Sequence, residues 1–293
     1  MTELDDEENW AQSDESVEED SDSNAAMAES SLDRLACALG GKTMLPIVMA
    51  QVQTMLQSPD WKMRYAGLMA VSAVGEGCSK QMEPLLTQIV DPILGFLKDP
   101  HPQVRYAACN AIGQMATDFA PGYEKKFHSK ILPALICLLE DHSCPRVQAH
   151  AGAALVNFCE ECPRDILKNY ADALLGNLQT CFTIKLKELV EQSKKLVLEQ
   201  LVTTVASVAN TFSTTFVILL MVSPSRASGG SNSIQEAIAK SWSHLTSDSG
   251  SASAAMRRSF LIMFHNATLS FGLSSTHRRR CGMISAEEDR TPS

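Results

Sequence analysis

The first 33 residues contain no lysine or arginine, yet they hold 13 of the 34 acidic residues. With so few aliphatic side chains among so many like charges, residues 1–30 cannot bury enough surface to offset the entropy of ordering, so this head is expected to be disordered when unbound. The formal charge of −9 is therefore a property of the head, because the remainder carries 21 acids against 25 bases. The N-terminus also lacks a basic region followed by an apolar run, and the nine cysteines form no disulfide framework. Both absences point to a reduced, intracellular protein and away from secretion. Residues 201–225 lack charge and are long enough to raise a membrane span. Thr203, Thr204, Ser207, Asn210, Thr211, Ser213, Thr214 and Thr215 dilute that stretch, and a soluble chain is expected.

The patterns that carry chemistry are equally incomplete. ACALGGKT, residues 36–43, resembles a phosphate-binding loop but lacks the preceding strand that would aim its backbone N–H groups at a phosphate. Cys159 and Cys162 form a CxxC with no second pair, and His142 and His150 lack zinc-site spacing. Asn266-Ala267-Thr268 matches a glycosylation acceptor, which a chain without a leader would not present to the modifying enzyme. No Ser/His/Asp or Cys/His arrangement is supported by spacing. No catalytic residue, cofactor or metal is expected. The basic pairs and triplets Arg257-Arg258 and Arg278-Arg279-Arg280 read as solvated charge in a Ser-rich tail, so no nucleic-acid partner is expected.

What is present is a repeat. SPDWKMRYAGLMAVSAVGEG from Ser58, DPHPQVRYAACNAIGQMATD from Asp99 and DHSCPRVQAHAGAALVNFCEEC from Asp141 are variants of one block. Met63 to Val104 is a step of 41 and Val104 to Val147 a step of 43, the range in which each unit is a pair of antiparallel helices. The fold class is therefore all-α, a solenoid of about four helical pairs over residues 31–210, with a Ser-rich irregular tail over 211–293. First helices are expected over 44–57, 82–98, 127–140 and 166–180, with Pro46 and Pro133 near helix starts and Pro92 inside its helix. Second helices are expected over 62–76, 103–116, 146–158 and 194–208, where Ala66, Gly67, Ala107, Ala108, Ala151 and Gly152 recur at close-packing positions. Val147 to Val197 is a step of 50, so about seven residues are inserted around 185–192. Residues 32–39 read as the remnant of an earlier helix, and the ends of the array lack polar caps.

One polar constellation follows the repeat. Glu76, Asp118 and Glu160 lie 42 residues apart, with Asn157 and Glu161 beside the last. One acceptor per repeat at the ends of the second helices would line one edge of the array and suit an extended basic peptide. The competing reading is that these are exposed turn residues. The head, with Asp5, Asp6, Glu7, Glu8, Glu18, Glu19 and Asp20, is either a solubilising segment or a competitor for basic ligands. Trp10, set among the acids, favours an interaction role.

The runs PDWKMRYAGLMAVSAVGEG, FLKDPHPQVRYAACNAIGQMATDFAPGYEKKFH, RVQAHAGAALVNFCEECP and KLVLEQLVTTVASVAN, with the head ending DSNAAMAESSLDRLACALGGK, resemble the middle HEAT repeats of the karyopherin-beta nuclear transport receptors. The resemblance covers about residues 1–210. It implies a receptor fragment that binds the basic import signals of cargo proteins, shuttles between cytoplasm and nucleus, and meets Ran and nuclear pore proteins. It further implies that Glu76, Asp118 and Asn157, with Glu160 and Glu161, hold a lysine-containing signal, and that the head corresponds to a segment contacting Ran. Measured against the family, the chain lacks the N-terminal repeats that carry the principal Ran site and stops matching after Asn210, so it reads as truncated at both ends. The alternative class is a HEAT scaffold without a transport role; a membrane-tethered fragment is the third.

Overall fold

The computed structural model describes residues 1–2, 10–13, 23–192, 194 and 196–211, and every element among them is helical. The expected tail, its basic runs, the Asn266 acceptor, the charge-free stretch beyond Thr211 and the seven named acids of the head lie outside the described residues. Eleven α-helices follow in order: α1 (Asn24–Leu39), α2 (Gly41–Leu56), α3 (Trp61–Ala73), α4 (Gly75–Met82), α5 (Leu86–Phe96), α6 (Pro102–Asp118), α7 (Gly122–Leu139), α8 (Pro145–Glu161), α9 (Arg164–Leu167), α10 (Ala171–Gln192) and α11 (Leu196–Thr211). The second helices α3, α6, α8 and α11 stack on one another in chain order, with α1 packed against α3 and α4 at the start of the row. The first helices α2, α7 and α10 pair with α3, α8 and α11, and α5 with α6. No helix among the described residues is long and apolar enough to cross a membrane.

The sequence dictates where the second helices begin. The Asp60 carboxylate accepts from the Lys62 N–H and caps α3. α6 and α8 open on Pro102 and Pro145 at the first helical position, where a missing N–H costs no hydrogen bond. The turn before each is tied to the preceding repeat. Arg64 of α3 grips Asp99 bidentately, Nε to Oδ2 at 2.8 Å and Nη2 to Oδ1 at 3.0 Å, while Asp99 also accepts from the His101 N–H at 2.8 Å. One repeat on, Arg105 reaches Asp141 at 3.7 Å. Planar guanidinium and carboxylate suit this fork, and the Arg64–Asp99 pair is largely desolvated.

Small residues set the stacking distance as their recurrence implies. A Cβ on Gly113 would lie 3.1 Å from the Ala154 Cα across the α6–α8 contact, and Ala66, Ala107, Ala108 and Ala151 are fully buried. Leu135 of α7 and Leu155 and Phe158 of α8 are also fully buried, each contributing about 1.5–3 kcal/mol relative to exposure. Met27 and Leu35 on α1 and Ile47 on α2 are half or more exposed.

The structure departs from the sequence reading in several places. α1 is a full helix of 16 residues capped by the Ser23 hydroxyl, so residues 24–30 belong to it and not to a disordered head. Pro133 is the twelfth residue of α7, because that helix starts at Gly122, five residues before its expected start, and Pro46 is the sixth of α2. The second repeat's first helix is α5 alone, preceded by α4 and a 3-10 turn, Glu83–Leu85; Pro92 lies inside α5 as expected. The expected helix over 166–180 is α9, a 3-10 turn and α10, and the inserted residues lengthen α10 to Gln192. ACALGGKT runs from the last turn of α1 through Gly40, at φ 75°, into α2, a helix–glycine–helix corner with no strand.

Candidate ligand-binding face of the second helices

Glu76 is not the last residue of the second helix. α3 ends at Ala73 and the chain restarts as α4 at Gly75, placing Glu76 in the first turn of a new helix, where the N-terminal dipole favours its charge. Glycine makes this corner. A Cβ on Gly77 would sit 2.4 Å from the Ala36 carbonyl carbon of α1, and one on Gly75 would meet the Asp118 carboxylate. Only glycine lets α4 approach α1 on one side and the end of α6 on the other.

That packing brings together three carboxylates from three elements: Asp33 of α1, Glu76 of α4 and Asp118 of α6. Oxygen atoms of Asp33 and Glu76 lie within 4.8 Å of each other and of the Cys37 sulfur. Asp118 lies close enough that burial, with Glu76 and Asp33 adding to it, pushes its carboxyl up to about 6. The Gln114 amide donates to Asp118 Oδ1 at 2.9 Å, whereas Oδ2 is buried without a hydrogen-bond partner. Among the described residues no lysine or arginine forms an ion pair with any of the three. The cluster is a negative site held together by packing against its own repulsion.

The other members of the ladder separate. The Asn157 amide donates to the Gly113 carbonyl at 3.4 Å across the α6–α8 contact, so Asn157 stays on the second-helix face near Asp118. Glu160 accepts from Ser207 of α11 at 3.4 Å, one step further along the stack. Burial pushes the Glu124 carboxyl on α7 up to about 7 and the nearby Glu161 carboxylate adds to it, which places Glu161 on the first-helix side of α8. The uniform ladder is thus a cluster of Asp33, Glu76 and Asp118, a neighbouring Asn157, and two carboxylates turned elsewhere. Asp33 escaped the sequence reading although it lies 43 residues before Glu76, one repeat step back. Asn110 escaped as well: it donates to Ser72 at 3.1 Å and its oxygen faces His150 Nε2 at 3.3 Å, bridging α3, α6 and α8. Cys159 and Cys162 are buried, and burial pushes both thiols up, Cys162 to about 12, so neither is a ready thiolate ligand.

The comparisons decide the family. Residues 1–46 match the model described as an importin repeat, 61–115 a HEAT-like repeat and 90–174 HEAT repeats. The chain is 38% identical over 221 residues to importin subunit beta-3 of Saccharomyces cerevisiae, covering 74% of this chain and 20% of that protein. These are HEAT repeats of the importin-beta, or karyopherin, family. Among solved structures, Kap121p bound to Pho4p superposes with a TM-score of 0.66 at 30% identity, over 91% of this chain and 28% of that one. Kap121p bound to RanGTP gives the same four values. A Kap121p mutant, with a TM-score of 0.66 at 27% identity over 91% of this chain and 28% of its own, carries lysine in place of three acidic residues at successive steps of 43 and 42. The karyopherin chain described here spans about one fifth of the length of its curated relative.

Proposed function

We propose that this chain is the ligand-binding portion of a nuclear transport receptor and holds lysine-rich import signals of cargo proteins at Asp33, Glu76 and Asp118. The observation that carries this reading is the convergence of three carboxylates, each from a different element, with no basic partner among the described residues. Such a cluster gains most from a ligand ammonium, because one cation relieves three repulsions at once. Asn157, whose amide makes one donated hydrogen bond to the Gly113 carbonyl, supplies a side chain that can hold an extended peptide backbone. The steps from Asp33 to Glu76 to Asp118, 43 and 42, equal those of the three acids exchanged for lysine in the Kap121p mutant. Cargo binding, RanGTP binding and contact with pore proteins such as Nup53p are properties of Kap121p in its crystal structures and are proposed for the protein to which this chain corresponds. Transport without catalysis, in cytoplasm and nucleus, follows from the same proposal.

The test is fluorescence anisotropy of a labelled lysine-rich peptide against the chain at low and physiological salt. Binding is expected to weaken with salt and to be lost in Asp33→Lys/Glu76→Lys/Asp118→Lys, with helicity retained by circular dichroism. Equal affinity in the triple variant would remove the cluster from the function and favour a scaffold role.

A further inference from the structure

The turn that opens each second helix is built alike in three successive repeats. Ser58-Pro59 lies 41 residues before Asp99-Pro100, and Asp141 follows Asp99 by 42. At each of the three positions the side-chain oxygen accepts the N–H two residues on: Ser58 Oγ from Asp60 at 3.2 Å, Asp99 Oδ1 from His101 at 2.8 Å and Asp141 Oδ1 from Ser143 at 3.1 Å. The first two turns also share an arginine grip. Arg64 Nη1 donates to the Ser58 and Pro59 carbonyls at 3.1 and 2.9 Å, and Arg105 Nη1 donates to those of Asp99 and Pro100 at 2.9 and 3.2 Å. Asp99 and Asp141 each close on the arginine of the preceding second helix. Ser58 thus holds the place of the two clamp aspartates without their charge.

Ser58 is also placed for modification. It lies partly exposed in the turn between the end of α2 at Leu56 and the start of α3 at Trp61, flanked by exposed Gln57, Pro59 and Asp60. The following proline steers its backbone away from helix, so the serine stays out of both neighbours. We propose that Ser58 is the acceptor of a proline-directed protein kinase, and that its phosphate competes with Asp99 for the Arg64 guanidinium. In the transfer, Ser58 Oγ attacks the γ-phosphorus of a nucleoside triphosphate and the bond from that phosphorus to the β-bridging oxygen breaks. Nucleoside diphosphate leaves, and the hydroxyl proton passes to the kinase's catalytic carboxylate. The product carries a charge of about −1.5 to −2 at pH 7 and three acceptor oxygens. Arg64 is within its reach, because that side chain already bonds the carbonyl of the same residue. A phosphate that takes Arg64 leaves the Asp99 carboxylate, whose side chain is 6% exposed, without its cation. This fork ties α3 to the turn that opens α6, so the modification loosens the stack of the first two repeats. The inference stands apart from the cargo reading.

The experiment has two arms on the full chain carrying Ser223→Ala/Thr291→Ala, which leaves Ser58-Pro59 as the one Ser/Thr-Pro pair in the sequence. In the first, the chain is incubated with a purified proline-directed kinase and ATP. It is expected to take up one phosphoryl group, located at Ser58 by peptide mass spectrometry, and Pro59→Ala is expected to slow uptake about tenfold. A free peptide of residues 52–64 is the control. Phosphorylation of the peptide but not of the folded chain would overturn the site, as would no uptake by either, or a rate unchanged in Pro59→Ala. In the second arm, phosphorus NMR follows the second ionisation of the phosphoserine. Arg64 is expected to hold it about half a unit to one unit below the ordinary value of about 6, Arg64→Ala to return it to about 6, and Asp99→Asn, which removes the competitor, to lower it further. Phosphorylation should lower the urea midpoint of the chain that keeps Asp99 and should not lower it in Asp99→Asn, a comparison that holds even if Arg64→Ala fails to fold. A phosphate that titrates at about 6 in the presence of Arg64, or an equal midpoint loss with and without Asp99, would overturn the competition.

Discussion

Peptide affinity should follow the protonation of Asp118. Its carboxyl is raised to about 6, first by burial and then by Glu76 and Asp33. With that pKa, about one tenth of the chains carry an ionised Asp118 at pH 5 and about nine tenths at pH 7. A ligand ammonium that pairs only with the ionised form therefore gains up to about ninefold in affinity over this window, or about 1.3 kcal/mol. His150, the imidazole on the same face, is pulled down to about 4 by burial and stays neutral throughout. A labelled peptide of lysine, glycine and serine keeps its own charge constant, so anisotropy titrations at half-unit pH intervals and fixed ionic strength isolate the protein group. Asp118→Asn should bind about three- to tenfold more weakly at pH 7 and lose the slope. Glu124→Gln removes the other raised carboxyl and should keep the slope. A flat profile in the unmodified chain, with binding intact, would refute the reasoning, as would a slope that survives in Asp118→Asn.

Stability should show the same two carboxyls with the opposite sense. Asp118 and Glu124 have folded pKa values of about 6 and about 7, above the ordinary 3.8 and 4.5, so the folded state favours their protonated forms. Their contribution is full below about pH 4 and is lost as pH rises through 6 and 7. Glu124→Gln is thus expected to stabilise the chain at pH 8 by about 1–2 kcal/mol and to be neutral near pH 4, measured by urea unfolding. Arg64→Ala leaves the Asp99 carboxylate buried and should cost about 3 kcal/mol, against about 1 kcal/mol for Arg105→Ala, whose pair is longer and more exposed; equal losses would contradict the geometry. Gly77→Ala forces α4 away from the α1 backbone and should cost about 1–3 kcal/mol while weakening the basic peptide, by separating Asp33 from Glu76.

Much of this architecture was legible along the chain because a stacked repeat writes its contacts at a fixed interval. The 41- and 43-residue steps located the second helices to within a few residues, and the recurring alanines and glycines marked where helices touch. Local rules failed where packing overrides them: Pro133 sits deep in α7, and the residues inserted near 185–192, to which no element was assigned, extend α10. The candidate site divided in the same way. Glu76 and Asp118 were visible as periodic acids, and Asp33 could have been found by counting one step back. Only the stacking of α1, α4 and α6 brings these three into one cluster, and only stacking sends Glu160 towards α11 and Glu161 towards α7, because the direction of a helix-end side chain depends on the neighbouring helix. Sequence alone determined that the chain is a helical repeat array with a strongly acidic head. Tertiary structure decided which acids share a site, because only the packing of α1, α4 and α6 brings side chains 43 and 42 residues apart in the sequence within reach of one another.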